Sequence, residues 1–283
     1  MVLTIETFTD PCCPWAWTAE AWRLRLHWCY GEQLTWRRRL VVISDQPGAP
    51  EAAGFTPAVE QHEDTEIATR WGMPLHLGLR PRVTISLPAC LAIVAARHLD
   101  PDGGDERLLR ALWVRGRAHG EMTDELPVIA RAAADAALDP GALATQMRTP
   151  DVAQALADDR RAARAPLPPA RHLADKLGGP PEQRRYASPT WTFTHDQQPP
   201  WVAPGFQPPE TYDTALANLA PELQRRPAPH DAIAVLTWAG QPLATAEVAA
   251  VLEASIPAAR ARLRDAHAHF APAGSDGFWS PTP

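Results

Sequence analysis

Asp10-Pro11-Cys12-Cys13-Pro14-Trp15-Ala16-Trp17 decides how this 283-residue chain is read. It follows an apolar alternation, Val2-Leu3-Thr4-Ile5-Glu6-Thr7-Phe8, and precedes a stretch with helical spacing. A cysteine between a strand end and a helix start lies at the positive end of the helix dipole. Its thiolate can accept bonds from unpaired backbone N–H groups, so a lowered pKa is expected for Cys13. Three residues on, where a second cysteine would complete a C-x-x-C pair, stands Ala16.

Working outward, Trp17, Ala21, Leu24 and Trp28 fall on one face of the expected helix. Leu34 to Ile43 then reads as a strand, which suggests a parallel strand–helix–strand unit. From about 50 to 186 no strand is evident. Ser86 is placed to cap a helix over Leu87 to Ala96, with Pro88 in its first turn. Further helices are expected over 105–118, 125–137, 140–147 and 150–164. Strands return at Trp191-Thr192-Phe193-Thr194 and Trp201-Val202, and a helix follows over Pro209 to Leu219. Ser188-Pro189-Thr190 directly precedes the first of these strands, and a proline there belongs at an edge or a cis bend.

These features resemble the DsbA-type branch of the thioredoxin superfamily. They are also similar to its cytoplasmic relatives of the 2-hydroxychromene-2-carboxylate isomerase and kappa glutathione transferase kind. Asp10-Pro11, Cys13-Pro14-Trp15 and Trp17 match that branch's active-loop motif, and Ser188-Pro189-Thr190 looks like its cis-proline segment. Val202-Ala203-Pro204-Gly205-Phe206-Gln207-Pro208 looks like the passage from last strand to last helix. The resemblance implies an α/β thioredoxin-like fold split over 1–48 and 187–223, around a helical insertion at 49–186. It implies Cys13 as nucleophile, with Pro189 shaping a groove that Ser188, Thr190, Ser86 and Cys90 would help to line. Ala16 departs from the dithiol pattern.

The other cysteines are poor substitutes for the missing thiol. A disulfide between neighbours Cys12 and Cys13 strains the peptide between them, and Cys12 is better read as a small loop filler. Cys29 lies about 24 Å along the helix from Cys13. Cys90 could face the loop but is better read as a buried apolar residue. A small external thiol, glutathione- or mycothiol-like, is then the natural resolver, with no cofactor held tightly. The leading expectation is a monothiol oxidoreductase acting on a small thiol or a protein disulfide. A thiol-dependent transferase or isomerase, and a binding or regulatory protein, are the alternatives.

From 229 to 283 the order resembles a small winged helix-turn-helix. A helix at Asp231 to Trp238 and one after Thr245 are followed by a third near Ile256 to His267 and a Gly-rich hairpin. Arg260, Arg262 and Arg264 there face Asp231, Glu247, Glu253, Asp265 and Asp276, so a structural or dimerising module is favoured over a DNA reader. A net charge of −6 also argues against broad nucleic-acid binding. Four cysteines are too few for a disulfide scaffold. No secretory signal or membrane span is visible, and a cytoplasmic setting is expected. No metal-ligand spacing stands out. Lys176 is the only lysine among 27 basic residues, a bias that points to a GC-rich bacterial genome.

Overall fold

The computed structural model describes residues 3–196 and 198–282. Met1, Val2, Gln197 and Pro283, which fall in the expected first strand, turn and tail, lie outside them. Strand β1 (Leu3–Thr9) carries the apolar alternation and leads through the Asp10–Cys13 loop into helix α1 (Pro14–Tyr30). Pro14 suits the first helical position, where its missing N–H has no intrahelical partner to lose. Strand β2 (Leu34–Leu40) then pairs in parallel with β1, with Ile5 opposite Trp36.

The chain next leaves the sheet for a run of helices: α2 (Ala49–Ala52), α3 (Pro57–Trp71), α4 (Leu87–Leu99) and α5 (Gly104–Trp113). After α5 one π-turn covers Val114–Ala118. Then come α6 (Leu126–Asp135), α7 (Pro140–Gln146), α8 (Pro150–Ala163) and α9 (Pro168–Arg171). The sequence did not reveal α2 or α3. In α3, Glu60, Glu63, Asp64 and Glu66 interrupt the apolar period, and Glu60 and Asp64 lie on the buried side. The expectation of a strand-free middle also needs correction. Strands β3 (Leu177–Gly178) and β4 (Arg185–Tyr186) pair antiparallel just before the sheet resumes. Such a two-residue ladder is too short to show a period of two.

Strands β5 (Thr190–Thr194) and β6 (Trp201–Ala203) complete a four-stranded sheet of order β2-β1-β5-β6, and helix α10 (Pro209–Leu219) follows. Asp159 of α8 ties the insertion to this sheet. Its carboxylate accepts from Arg39 Nη1 at 3.0 Å, from Arg97 Nη1 at 3.2 Å and from the Leu40 N–H at 3.3 Å.

The last segment holds α11 (Ala232–Ala239), β7 (Leu243–Ala244), α12 (Thr245–Val251), α13 (Ile256–Asp265), β8 (His269–Ala273) and β9 (Asp276–Ser280). Its sheet has the order β7-β9-β8. All seven residues of α12 are buried, and this helix packs on α1. Helix α1 is therefore buried around most of its circumference, not along one stripe. Ala19 and Leu26 face the main sheet's core, Trp17 and Ala21 face the insertion, and Leu24 and Trp28 join the C-terminal core. Among the described residues no helix is long and apolar enough to cross a membrane.

Candidate active site

Cys13 is the N-cap of α1, with φ −85° and ψ 115°, so its side chain stands where the first helical amides are unpaired. The Asp10 carboxylate shapes the preceding loop. It accepts from the Cys12 N–H at 2.8 Å and from the Ile43 N–H at 2.8 Å, while the Asp10 carbonyl accepts from Cys13 N at 3.2 Å. Burial pushes the Asp10 carboxyl up, against the pull of the two amides it binds. Trp113 Nε1 donates to the same Asp10 carbonyl at 3.3 Å, fastening the loop to α5.

From the other half of the fold, the Ser188–Pro189 peptide meets this loop, and it is cis. The Cys13 S–H donates to the Ser188 carbonyl at 3.1 Å. Thr190 Oγ1 donates to the Ala187 carbonyl at 2.7 Å and accepts from the Gly205 N–H at 3.1 Å, which locks the proline loop to the β6–α10 passage. Beside these residues opens a groove of about 440 Å³. Trp15, Trp71 and Phe206 supply its aromatic surface, with Trp15 to Phe206 centroids 5.0 Å apart and Trp71 to Phe206 4.9 Å apart. Ser188, Arg70 and Lys176 line it too, and Cys13 adjoins it through Trp15 and Ser188.

The thiol itself is held differently from the sequence expectation. Cys13 is only 5% exposed, and burial pushes its pKa up, not down. The Ser188 side chain and the Ala16 and Trp15 N–H groups act in the opposite direction, and the Asp10 charge adds to the rise. Helix-start placement is thus present, but desolvation outweighs it in the closed site.

Comparison with known proteins places this architecture. No family model matches the chain, and no curated protein matches it. Solved structures do. A protein disulfide isomerase candidate from Nitrosomonas europaea is 15% identical with a TM-score of 0.61, covering 78% of this chain and 99% of its own. The cytosolic disulfide reductase DsbM from Pseudomonas aeruginosa is 20% identical, TM-score 0.54, covering 76% and 97%. A probable DsbA oxidoreductase from Streptomyces coelicolor is 18% identical, TM-score 0.55, covering 80% and 92%.

The chain has a DsbA-type thioredoxin fold.

Within this DsbA-type fold, Asp10, Pro11, Cys12, Cys13, Pro14, Trp15, Ala16 and Trp17 form the loop and first helical turn, and Ser188, Pro189 and Thr190 face them. Ser86 and Cys90 are displaced from the expected groove. Both are fully buried, and the Ser86 hydroxyl donates to the Ser44 carbonyl at 3.1 Å instead of capping α4. Cys90 packs in the apolar core, where burial drives its thiol well above the ordinary value. Cys12 is raised in the same way, with its sulfur 4.0 Å from Thr123 Oγ1. Arg70, Trp71 and Lys176 were missed. Lys176 had a visible signal as the sole lysine, but nothing in the sequence places it beside Trp15.

Ser188 offers a direct test of what tunes Cys13. Its Oγ is buried without a hydrogen-bond partner among the described residues, so its proton is free to serve a thiolate. In Ser188→Ala the pH profile of Cys13 alkylation is expected to move upward, with the rate at neutral pH falling several-fold. A profile that coincides with wild type would show that the hydroxyl contributes nothing.

Proposed function

We propose that this protein is a thiol–disulfide oxidoreductase that works with one protein thiol, Cys13, and leaves resolution to a small cellular thiol. The observation that carries the reading is Cys13 at the start of α1, 3.1 Å from the Ser188 carbonyl, with alanine at the position of a resolving cysteine. Cys13 sulfur attacks a substrate disulfide, forming a mixed disulfide and expelling the other sulfur as thiolate. The proton lost by Cys13 balances the one this leaving group takes up. A small thiol then attacks the mixed disulfide, and Cys13 is regenerated as a disulfide of that thiol with the substrate departs.

The groove suits such a resolver. Arg70 and Lys176 bring positive charge to an aromatic surface. Asp175 lies 3.8 Å from Lys176 and offsets part of it, which leaves a net positive lining suited to a small anionic thiol of the glutathione or mycothiol kind. DsbM, a structural neighbour, has also been solved with GSH. A reduced, cytoplasmic setting belongs to this reading. The same aromatic groove favours the second reading, a thiol-dependent transferase or isomerase, in which the bound small thiol reacts and Cys13 is secondary.

DNA binding finds little support in the C-terminal segment. Arg260 is paired with Asp276 at 2.6 Å. Although Arg262 and Arg264 stand exposed on α13, the segment from 229 to 283 carries five acids against three arginines, so it presents no net positive face. A structural role fits better.

Intact-protein mass separates the readings. After incubation with oxidised glutathione and other oxidised small thiols, wild type is expected to gain one thiol adduct and Cys13→Ser none. An unmodified wild type, or equal labelling of both proteins, would remove the redox reading.

A further inference from the structure

Beneath the nucleophile loop lies a group of four buried charges that the thiol chemistry above does not use. Glu60 and Asp64 come from α3, Arg80 from the loop after it, and Arg117 from the π-turn; all are nearly inaccessible. Arg117 Nη1 donates to Glu60 Oε1 at 2.9 Å and to the Cys12 carbonyl at 3.0 Å, while Nη2 donates to Asp64. Arg80 lies 3.5 Å from Glu60 and donates to the Gly116 carbonyl at 2.6 Å. Two cations and two carboxylates balance in charge. A buried ionic group of this kind is weak evidence for added stability, because desolvation consumes most of its attraction. What it supplies here is geometry: a forked donor fixed on the peptide carbonyl that precedes Cys13.

The π-turn that presents Arg117 is held from outside the insertion. One extra residue enters the helix there, with His119 N donating to the Val114 carbonyl at 3.0 Å. His76 N donates to the Arg117 carbonyl at 2.6 Å, and its neighbour Leu75 is clamped by the tip of the β8–β9 hairpin. Ser275 N donates to the Leu75 carbonyl at 2.8 Å, and Ser275 Oγ accepts from Leu75 N at 3.1 Å. Gly274, at φ +54°, approaches so closely that a Cβ would lie 2.5 Å from the Leu75 oxygen and 2.9 Å from the Ala118 oxygen. A continuous path of contacts therefore runs from hairpin tip to Leu75 and His76, to Arg117, to Cys12.

We propose that Arg117 is a positioning residue for Cys13, fixing the Cys12 carbonyl, and that the C-terminal hairpin fixes Arg117. With the carbonyl released, the Cys12–Cys13 peptide can turn and carry the sulfur off the Trp15 and Ala16 amides that stabilise its thiolate. The inference rests on Cys13 being the working thiol of the function proposed above. The groups that face Cys13 are the Asp10 carboxylate, the Arg185 guanidinium and Ser188, and none of them is altered in the variants below.

The test reads thiolate ultraviolet absorbance against pH in the full-length protein, each variant minus its own Cys13→Ser partner. Gly274→Ala changes no charge, yet is expected to raise the Cys13 midpoint and lower its thiolate fraction at neutral pH several-fold. Arg117→Met should do the same more strongly, and Arg117→Lys should recover part of the loss. Val152→Ala, a core truncation in α8, should lower stability and leave the midpoint in place. Wild-type midpoints in both Gly274→Ala and Arg117→Lys would overturn the proposal, even if Arg117→Met fails to fold. Absence of a Cys13 adduct in the mass experiment would instead sink the oxidoreductase reading, and the midpoint comparison would still decide the role of Arg117.

Discussion

Ala16→Cys is expected to turn this protein into a dithiol oxidoreductase. Cys13 caps α1 and Ala16 lies three residues on, a spacing whose Cα separation falls within disulfide range. Ala16 is buried beside Cys13, so the introduced sulfur enters already desolvated and held close to its partner. A resolving thiol on the same helical turn acts at an effective concentration far above that of a cellular thiol at about millimolar level. Turnover of a generic disulfide without added small thiol should therefore rise at least about tenfold over the parent. Parent protein starved of small thiol should accumulate its mixed disulfide, and the variant should not. Stopped-time mass analysis reads both. A variant that forms no internal disulfide and leaves Cys13 free in both proteins would direct attention to the transferase reading.

Trp17→Ala should cost more stability than any change in the groove. The indole is fully buried between three parts of the chain: it belongs to α1, its ring lies 5.8 Å from Trp113 of the insertion and 6.4 Å from Phe278 of the C-terminal hairpin. Its Nε1 donates to the Pro74 carbonyl at 2.9 Å, and the Arg110 guanidinium lies 5.5 Å from the ring centroid. Removing a core tryptophan costs about 3–5 kcal/mol, much of the stability of an ordinary domain. Trp17→Phe keeps most of the packing and loses the Nε1 bond, for about 1–2 kcal/mol. Leu126→Ala, at a side chain that is 61% exposed, should change stability by less than about 0.5 kcal/mol. Urea denaturation of the three variants orders them. Equal midpoints for Trp17→Ala and Leu126→Ala would show that the three parts do not depend on this contact.

Trp17 also shows how far the sequence could be read. Its spacing with Ala21, Leu24 and Trp28 placed all four on one buried face, and all four are buried. What covers them was not legible, because the covering surfaces come from the insertion and from α12, and periodicity carries no information about partners. The order of strands and helices around the loop was legible from period and punctuation. Helix α3 was not, since Glu60 and Asp64 turn inward to meet Arg117 and Arg80, and acidic residues on a buried face erase the usual apolar stripe. Arg70 and Lys176 reach the groove for reasons equally remote in sequence: α3 brings the first and the segment before β3 brings the second.

The sequence by itself determined the loop and helix start around Cys13 and the alanine that stands where a C-x-x-C pair would have its second cysteine. Pro14 at the first helical position, Cys13 at the cap and alanine at 16 are local facts, settled within one turn of helix. Tertiary structure alone decided the state of the Cys13 thiol. Ser188, 175 residues away, closes over Cys13 and takes it out of water, so that burial overrides the amides of its own helix. Capping and dipole effects fade within a single turn and can be read along the chain. Desolvation is summed over every segment that packs against a group, and those segments meet only in the folded protein.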